Sequence, residues 1–384
     1  MTLSAIIMGL LIGQGVPAKA DPALVEALEE VEINQSDSAG DGVEQGFRMT
    51  FNAQRSPDRR PDYGLLQNEA LKPGSRVVVS VTLEAQPRVL MDGIITHQQL
   101  TFDTALGESW LTVIGTDLTV LMDLVEQVKS HQGMQHEQVV RHILGQYASL
   151  GVQPKIVTPE TSWPTQPPQH MPFQSATDLG YLRELAALYG HVFFLRPGPQ
   201  PLKSTAYWGP PEFQAEPQKA LTVNIGSDTN VETLTFAYDA LAPSQLYRAL
   251  AQDGGATATL VETLKSKQAL ALAKQGALTA NGTFVRKSWL RYSGPDAGEP
   301  GARAQALVDR SSRMAITGRG TLDVLQYGGV LMAPGMVGVR GAGSSYDGAY
   351  YLKTVKHRIR GGEYKQDFTI TREGPGSLVQ RVKV

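Results

Sequence analysis

The chain has no cysteine among its 384 residues, which rules out disulfides, thiolate metal sites and a thiol nucleophile together. It has no excess of either charge. Its 35 Lys and Arg against 37 Asp and Glu leave a formal net charge of −2. Without a basic field, strong nonspecific nucleic-acid binding is not expected, and no sequence-specific nucleic-acid partner is expected either. No run reaches the roughly 18 apolar residues of a membrane-spanning helix, so a soluble chain is expected. Ala5 to Ile12 comes nearest, and no Lys or Arg precedes it as a secretory signal requires. Ala18-Lys19-Ala20 resembles a small-x-small cleavage site. The preferred reading is an opening strand from Ile6 to Ile12, a short helix from Pro22 to Glu30 and a strand from Val31 to Asn34.

The familiar catalytic patterns are missing as well. No G-x-S-x-G, H-E-x-x-H, Walker-type lysine or calcium loop occurs. His131, His136 and His142 stand five and six residues apart, whereas two ligands on one helical face need three or four. Gly341-Ala342-Gly343-Ser344-Ser345 lies between strands, with no helix N-terminus behind it to favour a phosphate. Tyr207-Trp208-Gly209-Pro210-Pro211 offers rings that a carbohydrate binder uses, but packing beneath a proline-rich loop is the commoner outcome. Glu29, Glu30 and Glu32 cluster where a helix passes into a strand, which predicts a solvated face rather than an acid/base pair. No enzymatic activity, catalytic residue, cofactor or metal is expected.

What the chain does contain is a repeated order of strand signals. Pro73-Gly74 precedes the strand around Val77, Val78 and Val79; then come Asp92-Gly93, a strand closing on His97, and Trp110 to Ile114. Pro334-Gly335 precedes Val337 and Val339; then come Asp347-Gly348, a strand with Tyr351, Lys353, Val355 and His357 on one face, and a strand with Tyr364, Gln366, Phe368 and Ile370. Asp-Gly suits a tight hairpin because both residues tolerate positive φ, and period-two alternation marks half-buried strands. One small β-domain used twice accounts for all three matched elements, with Asp92 falling on Asp347 and His97 near His357.

The rest of the pattern divides the chain. At this length a single core is not expected, since cores stop growing near 250–300 residues. Residues 1–117 read as a first β-domain with Phe47, Met49 and Phe51 alternating, and a charged, turn-rich segment from Arg55 to Asp62. Asp117 caps a helix from Leu118, and helical spacing recurs at Val139, Val140, Ile143, Leu144 and at Leu179, Leu182, Leu185, Ala186. Gly190 closes that helix, the strand Val192 to Leu195 follows, and residues 118–215 form an α+β insert. The second β-domain covers 216–378. It opens at Leu221 to Val223 and Leu234 to Tyr238, and 251–300 interrupts it as a surface insertion with a helix from Lys265 to Lys274 and a loop from Ser293 to Gly301. A helix from Ala302 to Arg310 leads into the strand Met314 to Thr317, and 379–384 form a tail. The expected fold class is α+β, mainly β, with two pseudo-equivalent barrel-like domains.

Several segments together resemble one family. They are Arg88 to Thr96, Val113 to Leu118, Tyr207 to Pro211 and, most of all, Tyr350 to His357 with Gly362 to Gly374. They are similar to the late-control-D, or phage protein D, baseplate-hub family, and the similarity spans nearly the whole chain. The resemblance implies a structural hub of a contractile tail or phage-derived injection system. Such a hub is a homotrimer whose six similar units surround a channel, adapting a six-fold tail tube to a three-fold spike. Partners implied are the spike, the tube or tube-initiator protein and other baseplate proteins, in a particle assembled in the host cytoplasm. Type VI relatives carry the spike in the same polypeptide, whereas this sequence runs only ten residues past Gly374, so a separate spike protein is expected. The alternative is a secreted or periplasmic β-rich hydrolase or carbohydrate binder. The candidate interface is the cationic outer face of the closing hairpin, Lys356, Arg358, Arg360 and Lys365, with Tyr351, Val355, Ile359, Phe368 and Ile370 facing the core.

Overall fold

The computed structural model describes residues 6–37, 44–53, 63–103, 108–159, 172–251, 259–264, 271–293 and 298–378. The turn-rich segment 55–62 and the tail 379–384 lie outside them. In chain order the amino-terminal part gives β1 (Ile7–Gly13), β2 (Ala18–Lys19), α1 (Pro22–Ala27), β3 (Leu28–Ser36), β4 (Gly46–Asn52), β5 (Arg76–Leu83), β6 (Gln86–Asp103) and β7 (Glu108–Asp117). The middle gives β8 (Glu126–Ser130), α2 (His136–Gly145), β9 (Val152–Ile156), β10 (Phe173–Thr177), α3 (Asp178–Tyr189), β11 (Val192–Pro197) and β12 (Ser204–Gly209). The remainder gives β13 (Pro217–Thr222), β14 (Thr233–Tyr238), β15 (Ser244–Ala251), β16 (Thr259–Leu264), α4 (Ala277–Ala280), β17 (Arg286–Ser293), α5 (Gly298–Arg313), β18 (Ile316–Asp323), α6 (Val324–Tyr327), β19 (Gly335–Arg340), β20 (Gly348–Arg360) and β21 (Glu363–Arg372). Among the described residues no helix is long and apolar enough to cross a membrane.

Thirteen strands join one sheet, and their order repeats. One half runs β3-β4-β7-β6-β5-β1 and the other β14-β18-β21-β20-β19-β13, so numbering each six in chain order gives 2-3-6-5-4-1 twice. The two halves differ at the last step: β1 lies antiparallel to β5, and β13 parallel to β19. They are welded where β3 lies antiparallel along β20, from Thr354 opposite Ser36 to Arg360 opposite Glu30. One apolar core crosses this junction, holding Val31, Ile33, Phe47, Met49 and Val113 with Tyr350, Val355, Phe368 and Ile370. Each such side chain removed from water contributes about 1.5–3 kcal/mol, which is why period-two patterning decides these strands.

Both fifth strands carry a β-bulge at the same place. The pairing of β6 with β7 slips between Ile95 and His97, and that of β20 with β21 slips between Leu352 and Thr354. A bulge adds one residue and reverses the alternation beyond it. Tyr351 therefore does not share the face of Val355, as strict alternation predicts. Tyr350 and Leu352 do, while Tyr351 packs with Leu272 and Met336 in a separate cluster. Counting from the bulges, the counterpart of His97 is Thr354, and that of Asp92 is Ala349. The matched order holds, and the matching of Asp92 to Asp347 and of His97 to His357 does not.

Asp92-Gly93 is also not a turn. It sits inside β6, and the β5–β6 hairpin turns instead at Glu84 and Ala85, both at positive φ (49° and 64°). Gly93 is required for close packing, since a Cβ there would lie 2.2 Å from the Thr116 carbonyl oxygen. Asp347-Gly348 does open a strand, with Gly348 at φ 124°.

Smaller departures have local causes. α1 ends at Ala27 because Leu28 is already extended and paired in β3. After Asp117, which accepts a hydrogen bond from the Thr119 N–H at 3.1 Å, only one 3-10 turn to Met122 forms. The expected helix from Lys265 falls partly outside the described residues, and its end is not helical: Ala273 bridges Ser377. Gly298–Arg313 is one helix, longer at both ends than Ala302 to Arg310, and it takes up part of the expected loop. Strand β18 starts at Ile316, two residues later than Met314. The opening strand is present, with Leu10 and Ile12 in the core.

Candidate assembly interface

The hairpin of β20 and β21 turns at Gly361 and Gly362, both at positive φ. Its inner side buries Val355, Phe368 and Ile370, with Ile359 packed partly against the same core. His357 also points inward and is fully buried. Its Nδ1 lies 3.0 Å from Gln366 Nε2 and 2.7 Å from Tyr364 Oη. The Gln366 amide is fixed in orientation by two bonds to Leu331, Oε1 accepting from its N–H and Nε2 donating to its carbonyl. Nε2 must therefore donate to His357 Nδ1, which places the ring proton on the other nitrogen. Burial drives the pKa of this imidazole down to about 3.

The outer side carries the four cations, and three already have carboxylate partners within the chain. Lys356 Nζ lies 2.6 Å from Glu32 Oε1 on β3, Arg358 lies 3.1 Å from Asp367, and Lys365 lies 3.1 Å from both Glu232 and Glu363. Hydrogen bonds to Glu232 and Glu363 hold the Lys365 ammonium above its ordinary pKa. Arg360 stands opposite Glu30 at the exposed end of the strand and makes no ion pair among the described residues. The clustered glutamates of the sequence are thus strand residues of β3, with Glu32 serving the weld to β20 and Glu29 accepting from Asn52 at 3.2 Å. The exposed Lys356–Glu32 and Arg358–Asp367 pairs contribute about 0.2–1 kcal/mol each. Lys356→Glu with Arg358→Glu sets like charges against Glu32 and Asp367. It is expected to lower stability by about 1–2 kcal/mol, a loss that shrinks in high salt because exposed charges are screened. Thermal unfolding in low and high salt checks this, and an unchanged midpoint contradicts it.

The other groups noted in the sequence do not converge. His131 Nε2 lies 3.1 Å from Gln174 Oε1, and His136 Nδ1 lies 2.8 Å from Tyr189 Oη. Among the described residues no three His, Asp or Glu side chains gather as a metal cluster. His97 is exposed, beside Thr96 Oγ1 at 2.9 Å. Trp208 is fully buried with its indole N–H donating to Leu182 O, and Tyr207 donates to Pro210 O, so neither ring offers a sugar-stacking face. The Gly341 to Ser345 loop is pinned by Asp347, whose Oδ1 accepts from the Ala342 N–H at 2.7 Å. A cavity of about 770 Å3 opens between α3 and α5, lined by Arg183, His191, Arg313, Tyr351 and Lys353 among others. His191 there is held down to about 3 by burial and then by the Arg313 charge. The cavity sets these cations beside the carboxylates of Asp37, Glu44 and Glu184.

Sequence reasoning missed two features. Arg76 and Asp92 form a buried bidentate pair, at 2.7 Å for both bonds, and Arg76 also donates to Leu150 O in the middle region. Glu373 is buried and accepts from the backbone of Leu272 and Ala273, tying the end of the sheet to the loop after β16. Neither has a motif; each pair is distant in sequence and becomes visible only once the strands are registered.

No protein-family model and no curated protein matches the sequence. Solved structures do match the fold. A tail protein from Neisseria meningitidis MC58 superposes with a TM-score of 0.62 at 16% identity, covering 96% of this chain and 97% of that one. The 43 kDa tail protein of prophage MuSo2 from Shewanella oneidensis gives 0.62 at 13%, covering 96% and 99%. An E. coli type VI secretion component, itself similar to bacteriophage T4 tail proteins, gives 0.52 at 14%, covering 92% and 77%. Over nearly its whole length, then, this chain is built on the fold of phage-tail and type VI secretion proteins, the fold class that its resemblance to the hub family implied.

Proposed function

We propose that the chain is a structural baseplate hub of a phage tail or phage-derived injection system, without enzymatic activity. The observation that carries this reading is the repeated 2-3-6-5-4-1 strand order, welded edge to edge by β3 and β20. A chain holding two copies of one unit yields six similar units when three chains close into a ring. The proposed units are residues 1–117 and 216–378, the latter interrupted at 251–300, with 118–215 as an appendage. The ring surrounds a channel and joins a six-fold tube to a three-fold spike. The outer face of Lys356, Arg358, Arg360 and Lys365 meets carboxylates of a neighbouring chain or the tube, where complementary charge fixes register more than it adds affinity. Spike, tube and other baseplate proteins are the partners, and the particle is the location. No observation favours the hydrolase or carbohydrate reading, since the rings it needs are buried.

Light scattering on the protein mixed with its spike partner is expected to give a hub mass three times the 41.5 kDa chain. A stable dimer or tetramer overturns the reading.

A further inference from the structure

Among the strand edges left without a paired strand in the described residues, two correspond to each other across the repeat. β14 ends the sheet order, paired only with β18. The far half of β6, beyond Ile94, pairs with β7 on one side, but β5 has already stopped on the other. Gln98 reaches Leu71 O at 2.7 Å and Tyr63 lies against Phe102, yet among the described residues no named strand runs along this half-edge. In the second half of the chain the matching half-edge of β20 is filled by β3. The counterpart of β3 is β14, and the counterpart of that half of β20 is the far half of β6. What the first unit does to the second inside the chain, the second can do to the first unit of another chain.

The register follows from the bulges. Setting Ile95 on Leu352 places Leu100 on His357, Thr101 on Arg358 and Phe102 on Ile359. Continuing through β7 and β4, and through β21 and β18, places Ile33 on Phe236, Glu32 on Thr235 and Val31 on Leu234. Since His357 pairs with Ile33 and Ile359 with Val31, Leu100 falls opposite Phe236 and Phe102 opposite Leu234. Gln98 falls opposite Tyr238, and Thr101 opposite Thr235. Apolar residues meet on the inner face and threonines on the outer. Phe102 and Tyr238, 55% and 40% exposed in the single chain, are then covered.

The chemistry of both edges agrees. Exposed edge strands are ordinarily guarded by lysine, proline or shortness, as β2 is, with two residues ending at Lys19. Thr233–Tyr238 reads Thr-Leu-Thr-Phe-Ala-Tyr, and His97 to Phe102 reads His-Gln-Gln-Leu-Thr-Phe. Neither stretch holds a lysine, arginine or proline, and the carboxylate nearest them on β6 is Asp103 at its very end.

We propose that β14 of one chain adds antiparallel to the far half of β6 of a second copy, in the register Thr235 opposite Thr101. Resting on the trimeric hub reading, this pairing is the joint that closes the ring. The two edges are different surfaces, so the contact is head-to-tail, and with the three-fold rotation of the hub reading it closes into a ring rather than an isolated symmetric dimer.

The absence of cysteine makes the test direct. Residues opposite one another in an antiparallel pair have Cα atoms about 4.5–5.5 Å apart, within the span a disulfide accepts. Thr101→Cys and Thr235→Cys chains, prepared separately, mixed and mildly oxidised, are expected to give a covalent dimer of one chain of each kind, which neither gives alone. The double variant is expected to give a covalent trimer on a non-reducing gel. Thr101→Cys with Thr233→Cys, two residues out of register, is expected to cross-link at least several-fold less. Trimers by light scattering with no Thr101–Thr235 cross-link overturn the strand pairing and leave the hub reading intact. Cross-linked rings of another size leave the pairing intact and overturn the trimer. A chain that stays monomeric and uncross-linked with its spike partner present overturns both.

Discussion

Asp92→Ala is expected to cost about 3–5 kcal/mol of stability, because it leaves the Arg76 guanidinium buried without its counter-charge. The side chains are only 10% and 2% exposed and share two bonds of 2.7 Å. Arg76 would keep only its bond to Leu150 O, at 2.9 Å. Replacing both partners, as Arg76→Met with Asp92→Leu, is expected to cost far less, since no charge is then stranded in the interior. Urea unfolding separates the cases through the midpoint at constant slope. A loss below about 1 kcal/mol for Asp92→Ala means that water reaches the pair and that its bidentate geometry contributes little.

Acid is expected to destabilise the fold well above the pH at which most carboxylates titrate. His357 and His191 are both held near 3 in the folded chain, against an ordinary 6.5. Between those values the unfolded chain binds more protons than the folded one, so stability falls as pH falls. Each group contributes at most about 1.4 kcal/mol per pH unit. Asp117 acts in the opposite sense: burial raises it to about 6, so the folded chain takes up its proton first and gains stability as pH drops from about 6 to 4. His131, also lowered by burial, acts in the same sense as the other two histidines, so the net effect in that window is a loss of stability as pH falls. His357→Gln, which keeps an acceptor for Gln366, is expected to reduce the slope by up to about 1.4 kcal/mol per pH unit, the share of one histidine. Unfolding midpoints at several pH values between 6 and 4 decide this, and a slope unaltered by the substitution contradicts the role of His357.

How far the fold was legible in the sequence depended on how local each signal was. Val31 and Ile33, or Phe47, Met49 and Phe51, announce their strands because alternation is set by neighbours two residues away. The order of the two repeats was legible for the same reason. Asp92-Gly93 misled because a turn dipeptide and a close-packed strand glycine read alike until Thr116 is seen 2.2 Å from the Cβ position. The faces of Tyr350 and Tyr351 were assigned wrongly because a bulge at Lys353 leaves no mark in composition. At the candidate interface the outward cations were legible and their partners were not. Glu32 and Glu232 lie more than a hundred residues from Lys356 and Lys365, and only the sheet order brings them together. The open edges of β14 and β6 were hidden too, since a lack of guarding charge means little until a strand is known to be terminal.

Electron microscopy of the assembled hub, viewed down its axis, tests the central claim most directly. Three chains displaying six similar lobes around an open channel are expected, with β14 of each chain continuous with β6 of the next. A ring whose alternate lobes are unrelated in strand order, or an assembly with any other number of chains, contradicts it.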